Sequence, residues 1–409
     1  MKNKHLLIIC DGLGDLPIPE LGNKTPLEAA NTPNLDRMAK NGKCGLMYVL
    51  GKGVRPNSDE AHLTIFGYDL EKDYPGRGPI EAAGVGIVLQ EGDVALRGNL
   101  ATVDDNLMVI DRRAGRIEDA APFTKNLDGI EIDNIKFLVK PGTGHRLALV
   151  MRGKGLSDKM TNSDVHYVTE NKVVENWEGS KVNIPQPTDA TPEAKFTASV
   201  LQKYLIKAHE ILETNPLNKE RESKGELKAN YILTRGPGYY KKLKPLTEMW
   251  GLSKAACIAG AGLYKGLGVM AGMDLIDVPG ANGLPNTEVA AKINKAKEIL
   301  PLYDFIFLHI KPTDIFGENG EWQKKKDFIE KIDSAIDSLD ESADASIAVT
   351  ADHSTPCSLK DHSPDPVPLL IYQKGLKGDG GKKFGEANCK NGSLEKIEGK
   401  DFMKLFLGF

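Results

Sequence analysis

Short, unbroken apolar runs punctuate the chain, each closed by a turn or a charged residue. Residues 6–10 (LLIIC) run into Asp11-Gly12, 305–309 (FIFLH) into KPTDIFGENG, and 345–349 (ASIAV) into Thr350-Ala351-Asp352-His353. Further runs lie at 230–234, 255–259, 274–278 and 367–372. Runs of this length between turn residues predict strands buried on both faces of a parallel sheet. Between them, apolar positions recur with helical spacing at 35–40, 59–63, 194–212, 246–250, 263–270, 288–300 and 325–339. Strand and helix alternating in this way predict βαβ units and an α/β fold.

From Asp93 the texture changes. Residues 93–99 and 106–111 predict strands across an acidic turn, followed by a basic stretch, DRRAGRI, and by GTGHR ahead of the apolar 147–151. This predicts a smaller α+β cap over 91–190, inserted into a core made of 1–90 and 191–409. The Pro-rich 184–194, IPQPTDATPEA, reads as the linker that closes the cap. On that division the helix 194–212 and the strand 230–234, ending at Arg235, belong to the core.

A length of 409 residues favours two domains. Hydrophobic residues at 40% and charged residues at 27% are ordinary for a globular enzyme and exclude a disordered chain. A formal net charge of −4 removes the basic surface that would advertise nucleic acid. The cysteines, Cys10, Cys44, Cys257, Cys357 and Cys389, are dispersed without a CxxC, which suggests free thiols in a reducing compartment. The apolar run 6–10 is too short for a secretory leader or a membrane span. A cytoplasmic protein with no membrane partner is expected.

The polar residues at the predicted strand ends carry the chemistry. Asp11 follows the first strand, Asp314 and Glu318 the strand 305–309, and Asp352, His353, Asp361 and His362 the strand 345–349. Ligands of open α/β sheets gather at such ends, and carboxylate beside imidazole suits a divalent ion such as Zn²⁺ or Mn²⁺. A polar turn whose histidines only form hydrogen bonds is the plainer alternative for one His, and less so for two. Ser58 precedes the helix 59–63. It reads equally as an N-cap or as a nucleophile at a helix N-terminus that also favours phosphate. Arg112, Arg113, Arg116, His145, Arg146, Arg235 and Lys265 are candidate anion-binding cations, against a solvated basic surface as the alternative.

The motifs LLIICDGLGD, KTPLEAANTPNLDRMAKNG, NSDEAHLTIFGYD, GRGPIEAAGVGI, DRRAGRI, GTGHR, LTRGPG, LHIKPTD and TADHSTPCSLKDHSPDPVP span nearly the whole chain. In this order they resemble the archaeal-type, 2,3-bisphosphoglycerate-independent phosphoglycerate mutases of the alkaline-phosphatase superfamily. The resemblance implies an alkaline-phosphatase-like parallel-sheet sandwich core with an inserted cap. It implies two divalent ions (Mn, Zn, Mg or Co), no 2,3-bisphosphoglycerate, and a small phosphoglycerate substrate. One ion would be held by Asp11, Ser58, Asp352 and His353; the other by Asp314, His362 and a histidine four residues after Asp314. Here that last position is Glu318, followed by Asn319 where an aspartate is usual. Ser58 would take the phosphoryl group from 3-phosphoglycerate and return it to the 2-hydroxyl of glycerate. The Glu318 departure keeps two alternatives open: a related phosphotransferase or phosphatase on another small metabolite, homoserine kinase-like for example, and a non-catalytic phosphometabolite binder. The sequence leaves room for a homo-oligomer.

Overall fold

The computed structural model describes residues 4–169, 172–173, 177, 179–337, 339 and 345–408. It divides into two compact units, one formed by Met1–Tyr74 with Leu243–Phe409 and the other by Pro75–Lys242. These limits differ from the expected 91 and 190. The reason is long-range strand pairing: Tyr231–Tyr239 runs antiparallel to Val94–Val103, from Tyr231 opposite Ala101 to Tyr239 opposite Val94. That pairing draws the strand, Arg235 with it, and the helix Pro192–Glu213 into the second unit. The Pro-rich 184–194 therefore lies inside that unit and not between units.

The first unit is built on an eight-stranded sheet. Its centre is His5–Cys10, paired in parallel with Phe305–Ile310 on one side and Ser346–Thr350 on the other. All residues of these strands are buried, as their unbroken apolar character requires. Ala255–Ile258 and Asp274–Leu275 extend the parallel part beyond Phe305–Ile310. The opposite flank is mixed. Val367–Gln373 is antiparallel to both Ser346–Thr350 and Lys43–Tyr48, and Glu395–Glu398 returns parallel to Lys43–Tyr48. The α/β class is as expected, but the sheet is mostly and not wholly parallel.

Helix ends follow local chemistry. Pro26–Ala29 opens with a complete capping box between Thr25 and Glu28, and Pro33–Asn41 opens with Pro in its first turn. KPTDIFGENG, after the strand Phe305–Ile310, forms the helix Pro312–Asn319, again with Pro in its first turn. Asp314 and Glu318 thereby sit one turn apart on one helical face. Ser58 is the first residue of the helix Ser58–Ile65, with Asn57 in the N-cap position, so its hydroxyl is not the cap.

The second unit carries a six-stranded sheet in the order Tyr231–Tyr239, Val94–Val103, Arg146–Arg152, Ile135–Pro141, Glu131–Ile132, with Val109–Asp111 paired to Val94–Val103. Leu96, Leu100, Phe137, Leu149 and Met151 form its main core with Leu201, Tyr204 and Leu205 of the long helix, where Phe137 and Tyr204 stack at 3.9 Å. Arg77–Gly84 packs on the other face, its Ala82 against Ala95, Ala148 and Val150. A Cβ at Gly78 would stand 2.0 Å from the carbonyl of Ala95, so only glycine lets this helix lie so close. Among the described residues no helix is long and apolar enough to cross a membrane.

Candidate metal centre and anion cluster

In the first unit, neighbouring parallel strands end in Asp11, His309 and the Asp352-His353 pair, all 0% exposed. Ligand atoms of Asp11, Asp352 and His353 lie within 4.8 Å of one another, and so do those of Asp314, His353 and His362. His353 is common to both groups. Its Nε2 is 3.2 Å from Asp352 Oδ2, 3.4 Å from Asp11 Oδ1 and 3.2 Å from Ser58 Oγ. His362 Nε2 is 3.6 Å from Asp314 Oδ1, and the two imidazoles stack at 3.6 Å.

The surroundings set which nitrogens face inward. Thr355 donates its hydroxyl to Asp314 Oδ1 at 2.7 Å, so at 3.0 Å from His353 Nδ1 it accepts that ring's N–H. His362 Nδ1 donates to the carbonyl of Pro56 at 2.9 Å. Both imidazoles thus have Nδ1 satisfied and present Nε2 to the carboxylates, the second-sphere arrangement common among metal-ligating histidines. Asp11 Oδ1 and Asp352 Oδ2 are buried and make no hydrogen bond. Buried carboxylate oxygens left this way demand a cation. Two carboxylates, an imidazole and a hydroxyl around one point, and a carboxylate with two imidazoles around the other, fit divalent ions.

Electrostatics agree. Burial and the Asp352 charge push Asp11 up to about 6. Burial works against ionisation of Asp352 too, yet His353 holds it well below the usual carboxylate range. Burial lowers His353, but Asp352 outweighs it and lifts the imidazole to about 9. The pocket asks for positive charge at Nε2.

Several residues here were not singled out from the sequence. Lys311 Nζ bridges Asp11 Oδ2 at 3.1 Å and Asp314 Oδ2 at 2.5 Å. Tyr264 donates its hydroxyl to Asp11 Oδ2, and His309 stacks on that ring at 3.4 Å with Nε2 3.1 Å from the same oxygen. His62, one helical turn after Ser58, donates Nδ1–H to the Ser58 carbonyl at 2.6 Å. Lys311 and His309 belong to the LHIKPTD stretch and were discoverable there. Tyr264 and His62 sit in apolar helical patterns and read as core.

Glu318 is not among the residues whose ligand atoms converge within 4.8 Å. It is exposed as a residue, though desolvation of its carboxyl and the Asp314 charge push it up to about 7. Asp361 is exposed and bonded to Arg55. Lys265 pairs with Asp277 at 2.9 Å, while its neighbour Tyr264 faces the centre.

The expected cations of the second unit are differently employed. Arg112 is committed to Asp164 by two bonds of 2.7 and 2.6 Å and lies over the rings of Tyr167 and Trp177. Arg113 and Arg116 are exposed. Arg235, over Tyr167 at 3.9 Å, stands directly opposite Arg97 across the sheet. Arg146, opposite Asn99, shares that face. Arg97 and Arg235 are each 8% exposed, and the Nε of each has no partner. Glu81 approaches Arg97 at 3.5 Å and Arg77 at 3.4 Å. Burial and the Arg235 charge bring Arg97 down to about 9, and burial with Arg146 lowers His145 to about 4. Like charges opposite one another on a sheet are destabilising; an anionic ligand would relieve them.

A sheet whose strand ends bring together two carboxylate–imidazole groups sharing one histidine, beside a serine hydroxyl, is the arrangement of an α/β protein with candidate divalent-ion sites next to a candidate nucleophile. Comparison with known proteins narrows this. Residues 39–218 match the family model described as 2,3-bisphosphoglycerate-independent phosphoglycerate mutase. Proteins of that name from Methanococcus maripaludis (strain C5) and Methanocaldococcus jannaschii are 44% identical over 407 residues and 43% over 411, each comparison covering 99% of this chain and 97% of the relative. A solved Pyrococcus horikoshii protein superposes with a TM-score of 0.83 at 35% identity, covering 100% of this chain and 97% of the other. The cofactor-independent phosphoglycerate mutase of Thermoplasma acidophilum gives 0.72 at 36%, covering 99% of both. The chain belongs to the 2,3-bisphosphoglycerate-independent phosphoglycerate mutase family.

Proposed function

We propose that this protein interconverts 3-phosphoglycerate and 2-phosphoglycerate through a phosphorylated Ser58, without 2,3-bisphosphoglycerate. The observation that carries the reading is Ser58 Oγ at 3.2 Å from Nε2 of His353, the imidazole common to both ligand groups. Asp11, Ser58, Asp352 and His353 would hold one divalent ion, and Asp314, His362 and Glu318 the other. Bound there, the ions lower the pKa of the serine and neutralise the phosphoryl oxygens.

The remaining work falls to the chain. Ser58 Oγ gives up its proton and forms a bond to phosphorus while the bond from phosphorus to the 3-oxygen breaks, and glycerate is released within the site as its 3-oxygen takes up that proton. After reorientation the 2-hydroxyl attacks the same phosphorus, the Oγ–P bond breaks, and the proton lost from the 2-hydroxyl returns to Ser58 Oγ. The first turn of Ser58–Ile65 offers free backbone N–H groups to the phosphoryl oxygens. Arg97, Arg146 and Arg235, on one sheet face of the second unit, suit a carboxylate; Arg113, Arg116 and Lys265 are further candidate cations. Arg112 acts by fixing Asp164 and Tyr167.

The oxygen-rich donor set with Glu318 beside it favours Mn²⁺ or Mg²⁺ over Zn²⁺ or Co²⁺. Free, buried cysteines suit the reducing cytoplasm. Ser58→Ala is expected to abolish turnover of 3-phosphoglycerate while leaving the circular dichroism spectrum and Mn²⁺ binding at the Asp314 group in place. Retained turnover overturns the reading.

A further inference from the structure

We propose that the buried Lys325–Asp15 pair is a positioning element for both ligand groups, acting through Thr355. The proposal rests on the two-metal reading of the site. Both side chains are 0% exposed and 2.8 Å apart. Lys325 Nζ also donates to the carbonyl of Thr355 at 2.9 Å and to that of Gly14 at 3.2 Å, so all three of its N–H groups are used. Asp15 Oδ1 accepts the N–H of Leu16 at 2.9 Å and of Cys357 at 3.1 Å. Thr355 N–H closes the circuit on the Gly14 carbonyl at 3.0 Å.

This knot joins the loop after His5–Cys10 to the loop after Ser346–Thr350, the two loops that bring Asp11 and the Asp352-His353 pair to the centre. From Thr355 it continues through the hydroxyl to Asp314 at 2.7 Å and His353 at 3.0 Å. One lysine on the helix Trp322–Ala335 therefore governs a residue that touches both ligand groups. The loops are in close contact: a Cβ at Gly12 would lie 2.4 Å from Thr355 Oγ1. Displacement of Thr355 is transmitted and not absorbed.

Stability alone does not account for the pair. Desolvating two charges costs several kcal/mol, and well-packed apolar replacements are often as stable or more so. What an apolar pair cannot do is fix the direction of a carbonyl and a carboxylate. Loss of such outer partners typically weakens metal binding 10- to 100-fold.

The test uses the full chain carrying Lys325→Met with Asp15→Asn, which removes both charges while Asn keeps an acceptor for the backbone N–H groups. Mn²⁺ is titrated calorimetrically into EDTA-stripped protein, and unfolding of the stripped protein is followed separately. We expect Mn²⁺ affinity to fall at least tenfold, with kcat falling and KM for 3-phosphoglycerate within twofold, while stripped stability stays near wild type. Lys325→Leu with Asp15→Asn, which likewise leaves no buried charge unpaired, carries the same comparison if the first double variant does not fold. Wild-type Mn²⁺ affinity in the variants, or an affinity loss matched by loss of stripped stability, overturns the proposal. Wild-type protein that binds Mn²⁺ but does not turn over 3-phosphoglycerate overturns the function proposed above and leaves positioning to be judged on affinity; failure of wild type to bind Mn²⁺ overturns both.

Discussion

Arg97 offers a perturbation whose effects on stability and on binding have opposite signs. Its guanidinium is buried opposite Arg235, and burial with that charge brings it from 12.5 to about 9. It stays protonated at pH 7 in folded and unfolded chains alike, so the shift is a cost of folding. At about 1.4 kcal/mol per unit the ceiling is roughly 5 kcal/mol. A weakly hydrated guanidinium in an effective dielectric near 20 leaves about 1–3 kcal/mol of that. Arg97→Met removes the cost and keeps most of the volume, and Glu81 retains Arg77. The variant is therefore expected to be more stable, by about 1–3 kcal/mol. Loss of a buried charge partner for a substrate anion costs about 2–5 kcal/mol, so KM for 3-phosphoglycerate should rise at least 30-fold. Thermal unfolding and steady-state kinetics on the same preparation read both. A destabilised variant with unchanged KM would refute the reasoning, because the cluster would then be structural.

Other consequences are direct. Burial pushes Glu386 up from 4.5 to about 7 against its bonds to Thr25 and to Asp15 N–H. Its folded pKa lies above the unfolded one, so the stability it contributes is complete below about 4.5 and is lost as pH rises through about 7. Glu386→Gln should flatten the pH dependence of unfolding across that window and stabilise above it by at most about 3 kcal/mol; an unchanged slope would contradict this. Glu318→His is expected to raise the preference for Zn²⁺ over Mg²⁺ at least tenfold in competitive titrations, since imidazole suits the softer ion; an unchanged ratio would show that residue 318 contacts no ion.

Much of the centre was legible because its ligands follow unbroken apolar strands. Asp11, Asp352 and His353 stand where such runs stop, and burial on both faces makes those runs conspicuous. The helix Pro312–Asn319 was harder to see: Gly317 and Gly320 made its span look like a loop, although Pro312 marks its start. The unit boundary was misread for a different cause. Proline clusters resemble linkers locally, whereas what assigns Tyr231–Tyr239 to the second unit is pairing with a strand more than a hundred residues earlier. Local pattern carries no trace of that. The contacts of Tyr264, His62 and Thr355 were hidden for the same reason, since a residue one shell from a ligand is ordinary in its own neighbourhood.

The central claim is covalent, and it is tested by a single measurement. Protein mixed with 3-phosphoglycerate labelled at phosphorus, quenched in acid within milliseconds and digested, should yield a labelled peptide with the phosphate on Ser58, formed and lost at rates no slower than turnover. Turnover to 2-phosphoglycerate with no label on Ser58 at any time would contradict the account.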